Sequence, residues 1–183
     1  VREAKDGKLI ELDNNVDYSI ADTAREFINT ETNNKVIFFK EQNYFFNLAK
    51  YKDRLMDHIL KNPKFIQPEN YKKILINSLS TEQLSPLSVS RPTKRLGWAI
   101  GVPNDETQSV YVWFDALCNY MTSIGSLDKI KNSSTVESDF MKNTTHVIGK
   151  DIMKFHCIYW PIFLMSAGLP LPEKIVVHGH WVN

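Results

Sequence analysis

Gly149-Lys150-Asp151 follows a short apolar run, Thr145–Ile148, and precedes a helical pattern. A glycine at such a place lets a ligand approach the backbone closely. A carboxylate at a helix start can accept hydrogen bonds from ribose hydroxyls. The same two residues also suit a turn glycine and an ordinary helix N-cap, and spacing alone leaves both readings open. His156 lies one turn into the following helical pattern, on a face with Tyr159 and Phe163, while Ile152 and Phe155 share another. A histidine so placed is either a hydrogen-bonded core residue or a ligand contact. Trp113 and Tyr120 are seven residues apart, two helical turns, and read as pocket walls or as core aromatics. His178 and His180 form an HxH pair, with His156 a third imidazole. No acidic residue accompanies them at ligand spacing, so no metal site is expected. No GxxxxGK[ST] phosphate loop and no GxSxG nucleophile elbow is present. With only Cys118 and Cys157, and no CxxC, a disulfide framework and a structural zinc site are both excluded.

The elements that must hold these residues follow from periodicity. Residues 1–35 are polar and weakly patterned, with a short strand expected near Lys8–Leu12 and another at Val36–Phe39. From Phe45, the spacing of Leu48, Ala49, Leu55, Met56 and Ile59 predicts a helix that Asn62-Pro63 ends. Pro68 and Glu69 open a second, with Tyr71, Ile74, Leu75 and Leu79 on its apolar face. A boundary is expected near Leu84–Pro86, giving units 1–85 and 86–183. In the second, Leu87–Ser90 and Gly97–Ile100 alternate as strands do, and Val110–Phe114 is the most strand-like run of the chain. Asp115 then caps a helix to about Ile124, a polar loop spans 126–142, and Thr145–Ile148 is a buried strand. A helix from Ile152 to Ala167, bent at Pro161, leads to a last strand at Ile175–Val177. This alternation predicts an α/β fold with a parallel sheet, whose ligands bind where strands end: at Trp113–Asp115, Gly149–Asp151 and His178–His180.

Composition narrows the function classes. The chain has 183 residues, 43% of them hydrophobic, with 22 Lys+Arg against 21 Asp+Glu. That is enough for a core and excludes a disordered chain. Both halves are near neutral, so any nucleic-acid contact is local or lies in segments beyond these residues. No apolar run reaches the ~18–20 residues needed to span a bilayer, so no membrane association is expected. The start, VREAKDGK, carries no initiator Met and no secretion signal, and HGHWVN follows directly on a strand-like run. Both ends read as cuts in a longer chain.

The segments NYFFNLAKYKDRL (43–55), SVSRPTKRLGWAIGVP (88–103), YVWFDALCNY (111–120), HVIGKDIMKFHCIYWPIFLMSAGLPLP (146–172) and HGHWVN (178–183) together resemble methionyl-tRNA synthetases, in that family's order. The DAL-x-NY and IYWP forms are most similar to the bacterial and mitochondrial branch. The resemblance implies the second half of a Rossmann-like class I catalytic domain at 86–183, carrying part of an inserted connective-peptide unit, residues 1–85, that ends in the two helices. It implies activation of methionine by ATP with Mg2+ to methionyl-adenylate, then transfer to tRNA. It makes Trp113, Ala116, Tyr120, Phe155 and His156 methionine-pocket residues. Gly149 and Asp151 become ribose contacts, and Arg91 and Trp181 residues near the nucleotide. The family's HIGH and KMSKS motifs do not occur in residues 1–183, so no catalytic residue is assigned within them and the isolated segment is expected to be inactive. No zinc site is expected here either. The branch implies the mitochondrial matrix, with the cytoplasm as alternative. A competing reading is a non-catalytic paralogue that binds methionine or a partner protein; oligomeric state is left open.

Overall fold

The structure, a computed structural model, describes residues 2–5, 8–11, 26–29, 32, 35–36, 42–94, 97–125, 127–132 and 134–180. It divides into two compact units, Val1–Gln42 and Asn43–Asn183. In the first, β1 (Arg2–Lys5), β2 (Lys8–Glu11), β3 (Glu26–Ile28) and β4 (Lys35–Val36) form an antiparallel sheet of order β2-β1-β3-β4. The expected strands near Lys8 and Val36 are β2 and β4; residues 37–40 lie outside the described residues.

The second unit opens with β5 (Phe45–Phe46), a 3-10 turn at Leu48–Tyr51, α1 (Lys52–Lys61), β6 (Ile66–Gln67) and α2 (Glu69–Thr81). The helix expected from Phe45 thus starts later, because Phe45–Phe46 pairs antiparallel with β7 (Leu87–Ser88). Then come β8 (Ser90–Pro92), β9 (Gly101–Val102), β10 (Asp105–Val110), α3 (Val112–Thr122), α4 (Leu127–Lys131) and α5 (Val136–Lys142). The chain continues through β11 (Thr145–Gly149), a 3-10 turn at Lys150–Ile152 and a π-helical segment at Phe155–Tyr159. It ends on α6 (Trp160–Ala167) and β12 (Lys174–His178).

The parallel sheet has the order β11-β12-β6, with Ile148 opposite Val177 and Ile175 opposite Ile66. β12 is therefore central, and its Ile175 and Val177, with Ile66 of the adjoining β6, are buried. Leu55 and Ile59 of α1, Leu75 and Leu79 of α2, and Ile162 and Leu164 of α6 complete a core with essentially no exposure. Arg54 Nη1 donates to Met165 O at 3.3 Å, tying α1 to α6. No break in packing falls at Leu84–Pro86, where composition suggested one, because β6, α1 and α2 are built into this core.

Two further expectations are corrected. Val110–Phe114 is not a strand. β10 ends at Val110 and is the middle strand of an antiparallel sheet, β8-β10-β9, so it takes no part in the parallel sheet. Trp113 consequently stands in the first turn of α3, and Tyr111, not Asp115, is the residue that precedes the helix. β-branched and aromatic propensity is overruled by packing: Trp113, Leu117 and Tyr120 recur at helical spacing, and Leu117 is buried. The expected polar loop 126–142 contains α4 and α5, whose Ile130 and Met141 are fully buried. Thr135 caps α5 by accepting from the Ser138 amide.

Candidate functional site

Two groups of side chains meet the criteria of a site. The first lies between α3 and the π-helical segment. A residue without an N–H stands at Pro161, and the backbone just before it widens to an i→i−5 bond, Trp160 N to Phe155 O. This replaces the bent continuous helix expected from Ile152. Successive residues Phe155 and His156 both meet α3. Trp113 stacks on Phe155 with ring centroids 3.7 Å apart and planes 17° apart. Two turns along α3, the Tyr120 hydroxyl lies 2.8 Å from His156 Nε2. Ala116, exposed, sits between Trp113 and Tyr120 on the same helix.

Proton placement here follows from the partners. His156 Nδ1 is 3.0 Å from Ile152 O, and a carbonyl can only accept, so Nδ1 carries the proton. Nε2 then accepts from the Tyr120 hydroxyl. Burial holds the His156 pKa below its ordinary value, against a raising effect of the Ile152 carbonyl, and burial raises that of Tyr120. Both groups are neutral near pH 7. Beside Trp113 and Phe155 a small apolar hollow of about 30 Å³, partly open to solvent, is also bordered by Leu87, Tyr111, Tyr159 and Phe163. Such walls suit an uncharged, polarisable side chain and exclude charged ones.

The second group lies at the carboxyl edge of the parallel sheet, where Gly149 of β11 is opposite His178 of β12. Gly149, not Asp151, takes the N-cap position of the 3-10 turn, so the N-cap account of Asp151 does not hold. A Cβ on residue 149 would come within 2.6 Å of Asp151 Oδ1, so the absence of a side chain there gives the carboxylate its place. His180 Nε2 is 3.5 Å from Asp151 Oδ1, an ion pair when the imidazole is protonated. Arg91 is on another sheet, on β8. Its Nη1 donates to Ser88 Oγ at 2.7 Å and Ser90 O at 3.2 Å, and its guanidinium stands 4.8 Å from the Tyr111 ring centre. Trp181 lies outside the described residues. No cluster of three or more His, Cys, Asp or Glu able to hold a metal exists among the described residues.

His146 and Trp160 were not singled out from the sequence. His146, on β11, is buried, and its Nε2 accepts from Trp160 Nε1 at 3.2 Å. The available signal was phase: His146 alternates with Ile148 on the inward side of a strand, where a polar residue needs a reason.

A ligand-facing edge on a parallel α/β sheet is the architecture of nucleotide-handling proteins. A family model described as tRNA synthetases class I (M) matches residues 18–183, and the chain belongs to that family. It is 46% identical to the mitochondrial methionine-tRNA ligase of Saccharomyces cerevisiae, over 86% of this chain and 31% of the relative. It is 45% identical to the methionine-tRNA ligase of Rickettsia conorii, over 81% and 28%. A crystal structure of Mycobacterium tuberculosis methionyl-tRNA synthetase bound by methionyl-adenylate superimposes with a TM-score of 0.72 at 38% identity, covering 90% of this chain and 31% of that one. The chain thus spans about a third of the length of these relatives. No helix among the described residues is long and apolar enough to cross a membrane.

Proposed function

We propose that this chain is part of the catalytic domain of a methionine-tRNA ligase that makes methionyl-adenylate from methionine and ATP with Mg2+ and passes the aminoacyl group to tRNA. Trp113, Ala116, Tyr120, Phe155 and His156 hold the methionine side chain. Gly149 and Asp151 hold the ATP ribose, with Arg91 and Trp181 near the nucleotide. The enzyme works in the mitochondrial matrix, a reading supported by the mitochondrial relatives of yeast and human. One observation carries the proposal: the Trp113–Phe155 stack and the Tyr120–His156 hydrogen bond line one side of α3 around exposed Ala116. Catalysis here is positioning and charge stabilisation at the α-phosphate, since no covalent enzyme intermediate is required.

The test is methionine-dependent pyrophosphate exchange in the full-length enzyme. Asp151→Ala is expected to raise the ATP KM roughly 10- to 150-fold, the equivalent of about 1.5–3 kcal/mol for the loss of charge-assisted hydrogen bonds, with little change for methionine. Tyr120→Phe is expected to do the reverse. If both variants shift both constants together, the division into two subsites is wrong. A full-length protein without exchange activity would favour a non-catalytic paralogue.

A further inference from the structure

The methionine site proposed above uses Tyr120 and His156, yet the ring that Tyr120 rests on belongs to neither the site nor α3. His146 reaches it from β11. The centres of the Tyr120 and His146 rings are 4.4 Å apart, and those of Tyr120 and Trp160 5.7 Å apart. His146 is 6% exposed and Trp160 fully buried, so neither ring can turn toward water for a partner. The indole N–H of Trp160 has His146 Nε2 as its acceptor at 3.2 Å. The two imidazole centres lie 6.0 Å apart, so the three rings form a compact triangle in which the Tyr120 hydroxyl is bonded to His156 and its ring packs on His146.

We propose that His146 is a positioning residue for the methionine site: by accepting from Trp160 and packing on Tyr120, it fixes the phenol in the place where its hydroxyl meets His156. This rests on the function proposed above. A buried N–H without its acceptor is costly, so loss of the imidazole nitrogen frees Trp160 to move and takes Tyr120 with it. Accepting demands a lone pair on Nε2. Burial, with the neighbouring His156, keeps His146 unprotonated down to about pH 4, and the proton of the neutral ring is then on Nδ1. A histidine that merely filled the core would need no such acceptor, and a ring of equal size would replace it.

The experiment compares His146→Phe, His146→Gln and Trp160→Phe in the full-length enzyme, with methionine KM, ATP KM and melting temperature measured together. Phenylalanine keeps the ring and removes the acceptor; glutamine keeps an acceptor near the Nε2 position. His146→Phe is expected to raise the methionine KM about tenfold at an unchanged ATP KM, the effect of about one hydrogen bond. Glutamine should restore most of the loss, and Trp160→Phe, which removes the donor, should resemble His146→Phe. If His146→Phe does not fold, Trp160→Phe against His146→Gln decides by the same split. A methionine KM within twofold of the parent, or both constants moving in step with melting temperature, overturns the proposal. Tyr120→Phe separates the two readings. If it raises the methionine KM while His146→Phe does not, only the role of His146 falls; if neither does, the pocket itself is misassigned.

Discussion

Trp113 stacks its indole on Phe155, and a stacked pair at 3.7 Å is a wall that needs few rotors frozen. Truncation should cost about 2–4 kcal/mol of methionine affinity, as for a buried aromatic hot spot, with ATP affinity little changed. A Trp whose role is only in the core would instead cost roughly 3–5 kcal/mol of stability on truncation and weaken both substrates together. Trp113→Ala and Trp113→Phe, with both affinities and the melting temperature measured, distinguish these outcomes. A second residue-scale consequence concerns acid. Native His146 takes up a proton only near pH 4, but in the unfolded chain near 6.5. Between these values the unfolded chain binds more protons, so stability rises with pH across the window. The contribution is complete above about pH 6.5 and is lost as pH falls to about 4. His58 and His156, also lowered by burial, act in the same direction. Asp105 and Glu137, whose pKa values hydrogen bonds depress, lose their contributions only at lower pH. Melting temperature between pH 7 and 4.5 should fall more steeply in the parent than in His146→Gln; parallel curves would remove His146 as the cause. The residue types of the site were legible in the sequence because aromatics and a GKD turn stand out. Partnerships were not: Asp151 and His180, or His146 and Trp160, meet only through sheet register and strand-helix packing.

At the scale of elements, periodicity located what packing alone determines. α2, β11 and β12 lie close to where apolar spacing put them, since each buries one regular face. It failed where neighbours decide. β10 reads DETQSV, without the expected apolar alternation, yet buries Gln108 and Ser109, and Ser90 Oγ donates to Gln108 Oε1 at 2.7 Å. Polar residues can occupy a buried strand when they satisfy one another, a condition no single-strand pattern shows. β6 is two residues long and was missed, although it completes the parallel sheet. The end of α6 was legible for a local reason. Gly168 has φ +68°, a left-handed conformation that closes the helix, with Gly168 N bonded to Met165 O and Leu169 N to Leu164 O. A Cβ at this position would meet nothing within 4 Å. Gly168→Ala is therefore expected to destabilise by about 1 kcal/mol, from backbone conformation alone. Chemical denaturation should show a lower midpoint with an unchanged slope. A loss above about 3 kcal/mol would mean that packing, not φ, sets the requirement.

On the scale of the whole molecule, the question is which stretch of chain carries its own core. Composition changes near Leu84–Pro86, where turn-forming residues separate helical from strand-like segments. The interior ignores it. Ile66 is opposite Ile175 across the β6–β12 ladder, and Leu55, Ile59, Leu75 and Leu79, all from before the proposed boundary, have 0–2% exposure. Each such side chain contributes about 1.5–3 kcal/mol by burial, so five together match or exceed the ~5–15 kcal/mol by which a domain is stable. A cut after Ser85 would remove all five and leave β12 with an unpaired edge, an invitation to aggregate. A cut after Gln42 falls between the two compact units and removes none of them. Residues 43–183 are thus expected to unfold in one cooperative transition, with the near-ultraviolet dichroism of packed Trp113 and Trp160. Residues 86–183 are expected to lack both and to associate. The measurement is calorimetry and circular dichroism on the two segments side by side. Cooperative melting of 86–183 at a temperature close to that of 43–183 would return the boundary to Leu84–Pro86 and make the β6–β12 pairing dispensable.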